Sequence, residues 1–170
     1  TNAGGAHADT NRFTSTTASE TLTLLAGVTD ADNAITVEIS DAAGANTGTT
    51  ALNVNADALV DTLVVTLIGN DGDNVLVGNA TADTINGGAG ADTINGEAGA
   101  DTITGGAGAD TITGDAGADV FLIAAAADHA TGETIVGGAD ADTIRFTSTT
   151  ASETLALLAL GHHEENAIPL

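Results

Sequence analysis

GGAGADTINGEAGADTITGGAGADTITGDAGAD, residues 87–119, repeats one phrase every nine residues. Laid out in nines from Gly69, the rows read GNDGDNVLV, GNATADTIN, GGAGADTIN, GEAGADTIT, GGAGADTIT and GDAGADVFL. The first place is Gly throughout, the sixth holds Asn74, Asp83, Asp92, Asp101, Asp110 and Asp119, and the eighth holds Leu76, Ile85, Ile94, Ile103, Ile112 and Phe121. One large apolar residue per nine cannot make an amphipathic helix, which needs about three to four per two turns. The rows instead predict a three-residue strand alternating with a six-residue turn, the strand's middle residue inward and its flanking Thr or Asn outward. Gly at the first, second and fourth places is expected to supply the positive φ values of a tight, repeated turn.

A single row cannot bury its one apolar side chain, so neighbours must stack into a solenoid, with two rows completing one coil. If rows alternate sides, Asp92 stacks on Asp110 with Asn74 beyond it, while Asp83, Asp101 and Asp119 stack on the opposite edge. Parallel strands lie about 4.8 Å apart, and carboxylates held in ladders at that spacing repel one another. A hard divalent cation removes the repulsion, and Gly-rich turns add unobstructed backbone carbonyls. Calcium suits best, because it accepts about six to eight oxygens at roughly 2.3–2.6 Å in irregular geometry, whereas magnesium demands a tight octahedron. Zinc would prefer His or Cys.

These rows resemble the GGxGxDxUx nonapeptides of the RTX (repeats-in-toxin) family, over residues 69–122. The resemblance implies an all-β fold, a right-handed parallel β-roll or β-solenoid that binds several calcium ions between successive turns. Carried over row by row, it makes Asp83, Asp92, Asp101, Asp110 and Asp119 side-chain ligands, with turn carbonyls completing each site. Asn74 stands in the same place in the first row. Beyond Phe121 the clock breaks, yet Asp128 still falls in a sixth place, and after a restart at Gly137 so does Asp142; both join the expected metal set. The departures are Asn74 for Asp, Thr81 and Asp140 for the fourth-place Gly, and Glu97 and Asp115 for the second. The resemblance further implies export through a type I secretion system and an extracellular, bacterial cell-surface location.

Composition points the same way. The net charge is −22, with 24 acidic residues against two Arg or Lys. Nucleic-acid binding is therefore not expected, since phosphate neutralisation needs Lys and Arg. The 42% apolar content leans on Ala, with three Phe and no Trp, Tyr or Met, so burial compensates weakly for ordering the chain. Such a chain resembles a disordered one until its counter-ions arrive, and folding is expected to be linked to calcium. No Cys is present, which leaves neither a disulfide framework nor a thiol site. No signal peptide is evident at Thr1, and no apolar run is long enough for a transmembrane segment.

A longer repeat overlays the short one. Residues 4–35 return at 137–168, an offset of 133, with 23 of 32 positions identical. The chain thus holds about one and a quarter units and reads as a fragment of a tandem array. Three regions are expected: a β-strand flank over 1–68 continuous with the solenoid, the calcium β-roll over 69–122, and a degenerate roll end with the start of the next unit over 123–170. Within the flank, residues 35–40, 50–55 and 62–68 read as strands. ASETLTLLA and its copy ASETLALLA read equally as short helices, with Ser19 and Ser152 as N-caps.

Other constellations carry less. Asp30 and Asp32 suit an Asx-turn better than a further calcium site. His162, His163, Glu164 and Glu165 lack metalloprotease spacing and read as a solvated loop. His7 and His129 stand alone, with no catalytic arrangement, and no enzymatic activity is expected. The sequence favours a structural module of a large secreted adhesin, surface-layer or filament protein. The alternative is the C-terminal roll of a type I-secreted enzyme or toxin, and outward Thr ranks leave ice or crystal-surface binding as a third reading. Expected partners are calcium, neighbouring repeat units or identical chains end to end, and a cell-surface polysaccharide.

Overall fold

The computed structural model describes residues 9–15, 17, 19–25, 33–40, 45–59, 62–125 and 128–147. They form thirteen strands: β1 (Asp9–Phe13), β2 (Glu20–Thr23), β3 (Ala34–Ile39), β4 (Leu52–Asn55), β5 (Val64–Ile68), β6 (Val75–Val77), β7 (Thr84–Ala89), β8 (Thr93–Asn95), β9 (Thr102–Ala107), β10 (Thr111–Ala116), β11 (Val120–Ile123), β12 (Thr134–Ala139) and β13 (Thr143–Phe146). Odd-numbered strands make one parallel sheet, β1-β3-β5-β7-β9-β11-β13, and even-numbered strands the other, β12-β10-β8-β6-β4-β2. Successive strands therefore alternate between two facing sheets, as the two-rows-per-coil reading requires. No helix occurs among the described residues, and the fold is an all-β parallel roll.

The core is two columns of eighth-place residues. In one sheet Leu67, Ile85, Ile103, Phe121 and Ile144 follow one another in register. In the other, Val54, Leu76, Ile94, Ile112 and Ile135 do the same. The central members are fully buried, so one side chain per row excludes water only because its neighbours lie above and below it. The wider flank coils feed the same columns: Val37 of β3 pairs with Leu67, and Leu22 of β2 with Val54. Through the roll each coil advances 18 residues, as in the pairing of Thr84 with Thr102. At its end the advance becomes 23, with Thr111 opposite Thr134 and Val120 opposite Thr143.

Three sequence expectations change. ASETLTLLA does not supply a helix at Glu20–Thr23: that segment is β2, and Ser19, at φ 64, is no N-cap. The alternation of Leu22 and Leu24 with polar residues, and the waiting edge of β4, outweigh local helix preference. Its copy at 151–159 lies outside the described residues. The strands of several rows also run past three residues, because Gly88 pairs with Gly106 and Ala89 with Ala107, so the turn itself is laddered. Finally, positive φ falls at the second and fourth places, as at Gly88, Gly90, Gly106 and Gly108, and not at the first. The first-place Gly answers a different demand, described below.

Candidate metal centre

The ladder of sixth-place residues is built by hydrogen bonds between coils. The backbone N–H of Asp83 donates to Asp101 Oδ1 at 2.8 Å, and that of Asp101 to Asp119 Oδ1 at 2.9 Å. Asp119 in turn donates to Asp142 Oδ1 at 3.1 Å, and Val65 to Asp83 Oδ1 at 2.9 Å. On the other edge Asn74 donates to Asp92 Oδ1 at 2.8 Å and Asp92 to Asp110 Oδ1 at 2.9 Å. The two stacks expected from the nine-residue clock are therefore present, and each carboxylate uses one oxygen to close the coil before it.

The other oxygen is left over. Oδ2 of Asp92, Asp101, Asp110, Asp119 and Asp142 is buried without a hydrogen-bond partner. An anionic oxygen out of water and unpaired is costly, and burial accordingly pushes the carboxyls of Asp92 and Asp101 up to about 7, against the lowering effect of the N–H groups they accept from. Charge from neighbouring carboxylates raises them further, Asp110 and Asp73 acting on Asp92, and Asp83 and Asp119 on Asp101. Burial likewise raises Asp83, Asp110 and Asp119.

Each leftover oxygen faces the first-place Gly of its own row. A Cβ on Gly87 would strike Asp92 Oδ2 and lie 2.6 Å from the carbonyl oxygen of Gly105, one coil on. On Gly114 it would meet Asp119 Oδ2 and lie 2.6 Å from the Gly137 carbonyl; on Gly96 it would meet Asp101 Oδ2 and the Gly114 carbonyl at 2.9 Å. The first glycine is thus needed for space: its missing side chain leaves a cradle where a carboxylate oxygen and a carbonyl oxygen converge. Among the described residues no three His, Cys, Asp or Glu side chains gather around one point, so any cation here must be held by mixed carboxylate and carbonyl oxygens. That donor set suits calcium, which would supply the positive charge the leftover oxygens lack and accept oxygens in irregular number, and is poor for zinc.

The stack ends differ. Asn74 has its own partners: its amide donates to the Leu52 carbonyl at 2.8 Å and to Asn70 Oδ1 at 3.1 Å, and its oxygen accepts from the Asn70 N–H at 2.9 Å. Asp83 Oδ2 accepts from the Asn79 N–H at 2.7 Å. The first coil therefore satisfies itself, through the Asn74 side-chain amide and the Asn79 backbone N–H, and the unpartnered oxygens begin with Asp92 and Asp101.

At the other end the sequence register needs correction. Asp128 is not in the ladder: its Oδ2 accepts from the Ala125 N–H at 3.0 Å in a local turn. Its expected place is taken by Glu133, whose Oε2 accepts from the Asp110 N–H at 3.0 Å and whose carboxyl is pushed up to about 7, first by burial, then by the charges of Asp110, Asp128 and Asp92. The coil here is longer, and counting forward from Asp119 misplaces the site; counting back by nine from Asp142 would have found Glu133. Asp142 does continue its stack. His129 is buried with neither ring nitrogen partnered. Asp30, Asp32, His7 and His162–Glu165 lie outside the described residues.

No curated protein and no solved structure matches the chain. The model of the RTX calcium-binding nonapeptide repeat matches in four copies, over residues 68–103, 86–121 and 130–145. Its last match spans Glu133 and Asp142, on the far side of the broken clock. Residues 68–121 and 130–145 therefore match the RTX calcium-binding nonapeptide repeat and are wound into a parallel β-roll.

Proposed function

We propose that this chain is a structural module of a large, secreted, tandem-repeat surface protein of the adhesin, surface-layer or filament type, folded and stiffened by calcium. The observation that carries the reading is the row of buried, unpartnered Oδ2 atoms at coil spacing, each beside the first glycine of its row, with a carbonyl of the next coil converging on that glycine at Asp92, Asp101 and Asp119. On this reading Asp92, Asp101, Asp110, Asp119 and Asp142 supply carboxylate ligands, with Asp83 and Asn74 at the margin and Glu133 standing where Asp128 was expected. The carbonyls of Gly105, Gly114 and Gly137 complete the sites. Sites of this weak, repeated kind suit the millimolar calcium found outside cells, and RTX repeats are typical of secreted bacterial proteins.

A C-terminal roll of a secreted enzyme would share the repeats. The near-copy of residues 4–35 that restarts at Gly137 favours the array instead. The test is a calcium titration followed by far-ultraviolet circular dichroism. Conversion from coil to β on adding calcium, reversed by chelator, is expected; a spectrum that ignores calcium in verified metal-free buffer would end the reading.

A further inference from the structure

The long repeat and the strand order meet at one point. Shifted by 133 residues, Asp9–Phe13 (DTNRF) falls on residues 142–146 (DTIRF), which differ at one position. β13 is thus a second β1. In the fold it lies in the same sheet as β1, twelve strands later, because the unit contains an even number of strands, β1 to β12. An odd number would have delivered the copy to the opposite sheet. The two copies also use opposite edges: among the described residues, β1 is paired with β3 only, and β13 with β11 only.

We propose that β13 is the first strand of the next unit, and that its open edge takes the β3 strand of that unit, so that consecutive copies make one unbroken solenoid. The register follows from the first copy, where Thr10, Asn11, Arg12 and Phe13 face Thr36, Val37, Glu38 and Ile39. Thr143, Ile144, Arg145 and Phe146 then face the same four residues of the following unit.

Side-chain chemistry agrees along the edge. Arg12 Nε holds Glu38 Oε2 at 3.1 Å, whereas Arg145 makes no ion pair among the described residues and would meet the next Glu38. Ile144 and Phe146 point into the core columns above Phe121 and Ile123, yet stay only half-buried, since no coil among the described residues covers them. Val37 and Ile39, fully buried over β1, would cover them. The Asp ladder ends at the junction: Asp142, which accepts from the Asp119 N–H, is the copy of Asp9, whose register partner is Ile35.

This inference rests on the tandem-module reading, and its test separates the two. A two-unit chain is made by joining residues 1–146 directly to residues 14–170, since Phe146 and Phe13 are equivalent. Arg145→Cys and Glu38→Cys of the second unit are introduced into a sequence that has no other Cys. Register partners in neighbouring strands lie about 4.8 Å apart, within disulfide reach. Near-complete cross-linking is expected in calcium and little in chelator. The Cys-free two-unit chain should scatter as a rod longer than the single chain by roughly 29 Å, six coils at about 4.8 Å each. Two units that each respond to calcium but neither cross-link nor lengthen as one rod would overturn the continuous solenoid alone. A single chain that ignores calcium would overturn the functional reading beneath it.

Discussion

The backbone N–H of Asp83 donates to Oδ1 of Asp101 at 2.8 Å, while Oδ2 of Asp101 is buried with no partner. Oδ1 ties a coil to the next, and on the proposed reading the second job of this carboxylate is for Oδ2 to offer charge to a cation. Asp101→Asn separates them. The amide oxygen can keep the coil bond, the buried charge disappears, and the metal-free chain should lose less structure than wild type at pH 8. Its calcium midpoint should rise by roughly tenfold, about 1.4 kcal/mol. Asp101→Ala loses both jobs and should be worse in both respects. Asn74→Ala, at a position whose amide already has protein partners, should shift the midpoint far less. Equal shifts for Asp101→Ala and Asn74→Ala in a dichroism titration would contradict this division.

Acid should substitute in part for calcium. The carboxyls of Asp92, Asp101 and Glu133 sit near 7 in the folded chain, against ordinary values of 3.8 and 4.5. A raised folded pKa means the folded state binds more protons, so this stability is fully present below about pH 4 and is lost as pH rises through about 7. In chelator, β content should therefore be greater at pH 5 than at pH 8. In calcium the order should reverse at limiting metal, since protons and calcium compete for the same oxygens. Chelated samples with identical spectra at pH 5 and pH 8 would show that these carboxylates do not control folding.

The first-place glycine is a test of the cradle itself. Gly87→Ala puts a methyl group against Asp92 Oδ2 and within 2.6 Å of the Gly105 carbonyl, although the backbone there is not in the left-handed region. The coil must part or the carboxylate must turn away. The variant should need several-fold more calcium to fold and should be destabilised, whereas Gly→Ala at a compatible backbone with open space ordinarily stabilises by about 0.4–1 kcal/mol. Unchanged calcium dependence would mean that the space beside Asp92 Oδ2 is not used.

Much of this arrangement was legible in the chain, for identifiable reasons. A clock of nine residues is visible wherever every row keeps the same length, so the columns through Ile85 and Ile94 and the stacks through Asp92 and Asp101 could be read directly. What could not be read depended on contacts between coils. The role of the first glycine lies in the approach of a carbonyl 18 residues away, which looks in sequence like any other turn glycine. Glu97 and Asp115, at φ 73 and 72, show that the second place tolerates a side chain despite a left-handed cost of roughly 1–2 kcal/mol. The strand at Glu20–Thr23 needed the edge of β4 to decide it.

The register beyond Phe121 supplies the last prediction. Counting forward puts Asp128 in the ladder, whereas the fold puts Glu133 there, bonded to the Asp110 N–H at 3.0 Å. Glu133 stands beside Asp110, whose own Oδ2 lacks a partner. Glu133→Ala leaves the Asp110 N–H without its charged acceptor, a loss of about 1.5–3 kcal/mol, and removes a carboxylate from the end of that stack. Asp128→Ala removes only a turn bond to the Ala125 N–H, at about 0.5–1.5 kcal/mol or a little more for a charged acceptor. Glu133→Ala should therefore raise the calcium midpoint several-fold and weaken protection of β12 amides against hydrogen exchange, while Asp128→Ala leaves the midpoint within about twofold, or 0.4 kcal/mol. The reverse ranking would restore the forward count and require β12 to pair with β10 five residues out of its present register.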